Sequence, residues 1–181
     1  FSAAAQLLTV RFDANGLVDD FYLDTYVDVE TAGEPPYADP SAFVEEEVVV
    51  GEPPWALPGT LTLPAGEGPF PAVVLVHGSG PSDRDSTAFA VKPFRDLAHG
   101  LAARGIATLR FDKRTFVHSQ KFGAIPNFTV QEELVEDALA AVRRLAADER
   151  IDAGQIFVLG HSLGGLVVPR VLAQNEDGLI R

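Results

Sequence analysis

Ser162 stands at the centre of Gly160-His161-Ser162-Leu163-Gly164-Gly165, directly after the apolar run Ile156-Phe157-Val158-Leu159. A serine hydroxyl attacks a carbonyl only where the fold exposes and activates it. This spacing predicts a nucleophile elbow. A buried strand ends, the chain turns sharply onto a helix, and the serine at the apex is held in a strained backbone with its hydroxyl at the carboxyl edge of a sheet. Gly160 and Gly164, two residues either side of Ser162, lack the β-carbon that would hold strand and helix backbones apart. The amide of Leu163 is expected at a helix N-terminus, where an unpaired N–H and the helix dipole favour a negative oxygen. The chemistry such a bend serves is acyl transfer. An incidental serine in a glycine-rich turn is the competing reading, and the amphipathic run from Leu163 to Leu172 weighs against it.

Acyl transfer needs a second donor. His77-Gly78-Ser79-Gly80 follows Ala72-Val73-Val74-Leu75-Val76, an apolar run without alternation that reads as a central strand covered on both faces. The loop should emerge at the same carboxyl edge as Ser162. The amide of Ser79, with Gly80 as the alternate, is therefore the candidate partner of the Leu163 amide in an oxyanion hole. A glycine turn ending a strand is the less favoured reading of the segment taken alone.

The elements that must position these groups are legible around them. Val44–Val50 and Leu57–Leu63 read as an antiparallel pair at a sheet edge. Pro93–Arg104 reads as a helix with proline in its first turn and Gly105 as its stop, and Ile106–Phe111 as the next strand. Thr129 and Glu132 form a capping box, and Leu134, Val135, Ala138, Leu139, Val142 and Leu145 continue a helical stripe behind it. Strand and helix alternating three times predicts an α/β fold with a mostly parallel, helix-covered sheet. Before it, residues 6–29 read as a hairpin turning at Asp13-Ala14-Asn15-Gly16, and Thr31–Ser41 as a linker by composition. A lone hairpin is marginal in water and is expected to belong to a larger domain. The division is residues 1–31 hairpin remnant, 32–43 linker and 44–181 core.

With 181 residues, 46% of them hydrophobic, the chain can bury a substantial core. No run of apolar residues is long enough to span a bilayer. A net charge of −12 argues against nucleic acid, and the acidic balance, with three lysines, reads as a solvated and salt-adapted surface. The absence of cysteine removes disulfides, thiolate metal sites and a cysteine nucleophile. No ligand spacing implies a metal or organic cofactor. The first residue is Phe1 and there is no methionine, so the chain is expected to begin inside a longer gene product, with any targeting segment outside it. Compartment and oligomeric state are left open.

GHSLGG, together with HGSGPSDRD (77–85), KPFRDLAHGLAARGIATLRFDKRT (92–115) and PGTLTLPAGEGPFPAVVLVHGSG (58–80), resembles the α/β-hydrolase superfamily. More narrowly, it resembles the bacterial esterase and serine-aminopeptidase-like branch with a small amino-terminal accessory domain. The resemblance spans residues 44 to about 175 and implies an α/β-hydrolase fold in its N-terminal part only, through the elbow. It implies Ser162 as nucleophile, Ser79 and Leu163 as oxyanion amides, and a small-molecule ester as substrate. It makes His161 a neighbour whose ring points away from the hydroxyl, and His77 a structural residue bonded to its own loop. Asp83-Arg84-Asp85 and Asp112-Lys113-Arg114 fall in loops at the active-site edge, where ion pairs fixing the loops are favoured. Arg84 and Arg114 are the weaker candidates for holding a substrate carboxylate through forked donors.

The triad on this fold runs serine, acid, histidine, yet no histidine follows Ser162 before Arg181. Glu176 and Asp177 come too early to be the acid, so the acid and base are expected downstream of this chain. His118, after the Ile106–Phe111 strand, is a less favoured base. With later strands absent, Ile156–Leu159 should present an apolar edge, and the polypeptide alone should be poorly soluble or weakly active. The alternatives to an esterase are a serine peptidase or aminopeptidase of the same chemistry, and a non-catalytic truncated module.

Overall fold

The computed structural model of the chain describes residues 5–12, 15–26, 33, 35–88 and 91–181, which divide into two units. In the first unit β1 (Ala5–Phe12) pairs antiparallel with β2 (Val18–Tyr26), from Ala5 opposite Tyr26 to Arg11 opposite Asp20, with a bulge at Phe12. Gly16 takes φ +78° in the turn, while Asp13 and Ala14 of the expected turn lie outside the described residues. Ala88 and Val91 form an antiparallel bridge that belongs to this unit. Of the segment read as a linker, Thr31, Ala32 and Glu34 lie outside the described residues. Pro40–Ala42 make a single 3-10 turn, capped by the Asp39 carboxylate, which accepts from the Ser41 N–H at 2.9 Å.

The second unit is built on a sheet ordered β3-β4-β6-β5-β7. Its strands are β3 (Phe43–Val50), β4 (Leu57–Pro64), β5 (Phe70–Val76), β6 (Ala107–Phe111) and β7 (Ile151–Gly160). β3 and β4 are antiparallel, as the sequence suggested, and β4 is also antiparallel to β6. β6, β5 and β7 run parallel, so the sheet is mixed, with its parallel part carrying the site. This is the α/β-hydrolase fold.

Side chains alternate across the sheet and so sort the helices onto two faces. On one face Ala72, Val74, Val76, Leu61, Leu63, Leu109 and Phe111 join Leu134, Ala138, Val142 and Leu145, the last three from α4 (Glu136–Ala146), and Val167 and Val171 of α5 (Leu163–Ala173) in one buried core. The helix α1 (Pro93–Ala102) packs on β4 and β6 from the other side, burying Phe94, Ala98 and Ala102. That face carries a polar stripe, Thr60, Thr62, Thr108 and Arg110, all buried.

Three local features differ from the sequence reading. β7 begins at Ile151, ahead of the apolar run, because the sheet extends the strand past a bulge opposite Phe70 and Ala72. The loop after β6 contains two short helices, α2 (Arg114–Val117) and α3 (Ser119–Gly123), each too brief to show an apolar stripe. Gln131–Val135, behind the capping box, is a π-helical turn in which the Glu136 amide donates to the Gln131 carbonyl. At the free edge of β7, Ile156 forms a parallel bridge with Ile180, and Arg181 N–H donates to the Ile156 carbonyl at 2.9 Å. Phe157 and Leu159 stay 41% and 39% exposed, so the expected apolar edge is only partly covered.

Candidate active site

The site follows from a register. Val76, the last residue of β5, lies opposite Gly160, the last of β7, so both strands release their chains at one level of the sheet. His161 N–H carries the ladder one step further, donating to the Val76 carbonyl at 2.9 Å. The chain then reverses. Ser162 adopts φ +53°, ψ −117°, the Gly164 amide donates to the His161 carbonyl at 2.8 Å, and α5 starts at Leu163. A side-chain-bearing residue with φ in this range stores about 1–3 kcal/mol, supplied here by the packing on both sides. That packing is backbone on backbone. A β-carbon on Gly160 would collide with the Gly164 carbonyl group, and one on Gly164 would stand 2.6 Å from the His77 carbonyl oxygen.

Ser162 is exposed at the apex of this bend. Beside it runs the loop from His77 to Gly80: a β-carbon on Gly78 would meet the Ser162 β-carbon at 3.2 Å and His161 Nδ1 at 3.3 Å. The next residues, Ser79 and Gly80, are exposed, and Gly80 takes φ +80°. Among the described residues nothing accepts from the amides of Ser79, Gly80 or Leu163. N–H groups without an acceptor among the described residues thus lie on the two segments that the sheet register brings together beside the exposed Ser162.

His161 lies beside Ser162, whereas the rings of His77 and His118 are bound to loop carbonyls. His77 is fully buried between Phe94 and Phe111, and its Nε2 lies 3.0 Å from the Asp83 carbonyl. A carbonyl only accepts, so Nε2 carries the proton and Nδ1 holds a lone pair that finds no partner among the described residues. Burial pushes its pKa down to about 4, against the raising effect of the Asp83 hydrogen bond. His161 is exposed, with its ring edge-on to Phe94. His118 Nε2 faces the Ala56 carbonyl at 3.0 Å and the ring meets Trp55 edge-on, which ties it to the β3–β4 loop.

The charged clusters form ion pairs. Arg84 Nε and Nη2 grip Asp112 while Nη1 reaches Glu47 at 2.7 Å and Thr60 at 2.8 Å. Asp85 pairs with Lys92 and Arg110, and Arg110 spends its other nitrogens on Thr62 and Glu45. Arg114, 4% exposed, pairs through Nε and Nη2 with the buried Asp137 and through Nη1 with Glu136, and lies over the Trp55 ring at 5.2 Å. Burial outweighs Arg114 and raises the Asp137 pKa to about 6. The forks of Arg84 and Arg114 are thus occupied by the protein's own carboxylates, which weighs against either as a substrate contact.

Lys113, read from sequence only as one charge in a cluster, is fully buried and reaches the carbonyls of Gly78 and Gly80, each at 2.8 Å, and Glu133 at 2.6 Å. Nothing in the sequence pattern marks it, because its partners are main-chain oxygens more than thirty residues away. A cavity of about 470 Å3 lies between the β3–β4 loop and α4, bounded by Trp55, Arg114, Asp137 and Ala140. It holds none of the elbow residues, and Arg114, Glu136 and Asp137 on its wall are paired with one another.

Comparison with known proteins bears on the same residues. A family model described as "Alpha/beta hydrolase family" matches residues 73–180. Esterase EstD of Thermotoga maritima is 46% identical over 147 residues, covering 81% of this chain and 34% of EstD. Among solved structures, esterase Est22 is similar with a TM-score of 0.59 at 20% identity, over 84% of this chain and 46% of that one. Brefeldin A esterase, a bacterial homologue of human hormone-sensitive lipase, is similar with a TM-score of 0.59 at 23% identity, over 81% and 40%. The chain thus spans about a third of EstD and under half of these structures, whose likeness speaks for the fold. With the family match running from the middle of β5 through the elbow and its helix, this chain belongs to the alpha/beta hydrolase family.

Proposed function

We propose that this chain carries the nucleophile and oxyanion half of a serine esterase acting on small carboxylic esters. The observation that carries the proposal is Ser162, exposed at φ +53° beside the unpartnered amides of Ser79 and Leu163. In this reading the Ser162 hydroxyl attacks the ester carbonyl, and the oxygen that becomes negative is received by the Ser79 and Leu163 amides, with Gly80 as alternate donor. The alcohol leaves, and water releases the acyl group from Ser162. Neither His77, protonated on the nitrogen that faces Asp83, nor His118, held by Ala56, serves as the base. The general base and its acid come instead from parts of the gene product outside this chain. The likeness to EstD, named an esterase, supports the ester over other acyl substrates. The hairpin unit belongs, in this reading, to an accessory domain rather than to the catalytic core.

The test uses the full-length gene product. A fluorophosphonate probe is expected to label it on Ser162, and p-nitrophenyl acetate to be hydrolysed, with both lost in Ser162→Ala. Labelling or turnover that survives in a folded Ser162→Ala would overturn the reading.

A further inference from the structure

We infer that Lys113, with Glu133, is the positioning device that sets the oxyanion hole, an inference that rests on the role proposed for the Ser79 and Gly80 amides. Lys113 follows β6 by two residues, and its side chain runs inward until none of it reaches solvent. An ammonium has three N–H donors and no acceptor. Here it donates to the Gly78 carbonyl at 2.8 Å and the Gly80 carbonyl at 2.8 Å, and it forms an ion pair with the Glu133 carboxylate at 2.6 Å. A buried cation without a counter-charge is costly, and Glu133, itself 14% exposed, supplies one.

The two clamped carbonyls bracket the Ser79–Gly80 peptide. A trans peptide points its C=O and N–H in opposite directions. Drawing the Gly78 oxygen onto Lys113 therefore turns the Ser79 N–H away from the interior, on the side of the loop that exposes Ser79. Fixing the Gly80 oxygen holds the φ +80° conformation in which the Gly80 N–H also remains without an acceptor. A glycine-rich loop has many alternatives of similar energy, among them a flipped Gly78–Ser79 peptide that would present a carbonyl to the developing anion. Lys113 removes that alternative. It also polarises the peptide, since a carbonyl that accepts from a cation makes its partner N–H a better donor. The clamp is anchored from both sides of the molecule: the Lys113 amide donates to the Ser82 carbonyl at 3.0 Å, and Glu133 sits in the π-helical turn of Gln131–Val135. Turns of this kind recur at functional sites, and here the extra residue belongs to the segment that brings Glu133 to Lys113.

The test again uses the full-length gene product with p-nitrophenyl acetate. Lys113→Met/Glu133→Leu removes the charge and its partner together at similar volume. It is expected to lower kcat by about a hundredfold, the loss typical of one oxyanion donor, with KM little changed. A boronate transition-state analogue should weaken in parallel with kcat/KM. Glu133→Gln removes the charge at nearly the same size and polarity, and so serves should the double variant fail to fold. It is expected to lower kcat severalfold at constant KM. Wild-type kcat in either folded variant overturns the inference. If Ser162→Ala abolishes turnover while these variants keep it, the loop device falls and the esterase reading stands. If Ser162→Ala retains turnover, the esterase reading itself falls and the loop device with it.

Discussion

Gly164 and Val76 are in backbone contact: a β-carbon on Gly164 would collide with the Val76 carbonyl oxygen and stand 2.6 Å from that of His77. The obstructing atoms are main chain on a central strand and cannot step aside. Gly164→Ala is therefore expected to cost upwards of about 3 kcal/mol, or to prevent folding, with Gly160→Ala behaving alike. Gly123 in α3, which has open space where a β-carbon would go, is the control, and Gly123→Ala should stabilise by about 0.5 kcal/mol. Urea denaturation of the three variants checks the contrast.

The left-handed backbone of Ser162 separates strain from chemistry. Glycine tolerates φ +53° and alanine does not, so Ser162→Gly should be more stable than Ser162→Ala by about 1 kcal/mol, while both lose fluorophosphonate labelling alike. Equal stability would mean that the elbow stores no strain at this residue.

The elbow was readable because its requirements are local. A strand end, a serine between glycines and an amphipathic run lie within one stretch of sequence, and Gly160 and Gly164 meet because helix and strand are consecutive. The Ser79 loop was readable from its place after an apolar central strand. What sequence spacing does not carry is pairing across the fold. Lys113 with Gly78, Arg110 with Glu45 and Arg114 with Asp137 join residues more than twenty positions apart, and a charged side chain inside a strand or loop looks the same whether it faces water or a buried carboxylate. The π-helical turn was hidden for another reason: a capping box announces where a helix starts, not how many residues its first turn holds.

His77 gives the fold a dependence on acid. Its folded pKa of about 4 lies below the 6.5 of the unfolded chain. Above pH 6.5 both states are neutral at this position and its contribution is fully present. As the pH falls from 6.5 to 4, the unfolded chain binds a proton that the folded protein refuses, and stability drops by up to about 3 kcal/mol. His77→Gln, uncharged at every pH, should lose that part of the slope in denaturation curves taken between pH 7 and pH 4. An unchanged slope would place the acid sensitivity elsewhere.

Arg114 and Asp137 form a pair in which both partners are buried, 4% exposed each. Arg114→Met leaves a carboxylate without its cation and is expected to cost about 3–5 kcal/mol. Arg114 holds the Asp137 carboxyl down to about 6 against its burial, so without Arg114 the pKa rises above that value and the damage should ease as the pH falls toward 6 and the carboxyl takes up a proton. Arg114→Met/Asp137→Leu should recover most of the loss at pH 7. A double variant no more stable than the single one would show that the Trp55 contact, not the charge pair, carries the energy.

Arg84 joins the loop after β5 to β6 and to the edge strand β3 through Asp112 and Glu47. The Asp112 contact is two-pronged and largely shielded, whereas Glu47 is 75% exposed and its share is weakened by solvent. Arg84→Gln should therefore cost about 1–2 kcal/mol, nearly all of it through Asp112, and Glu47→Gln well under 1 kcal/mol. Because the guanidinium is committed to the protein, KM for acidic and neutral esters should change by the same small factor in Arg84→Gln. A selective rise in KM for the acidic ester would instead show the fork turning from Asp112 to substrate.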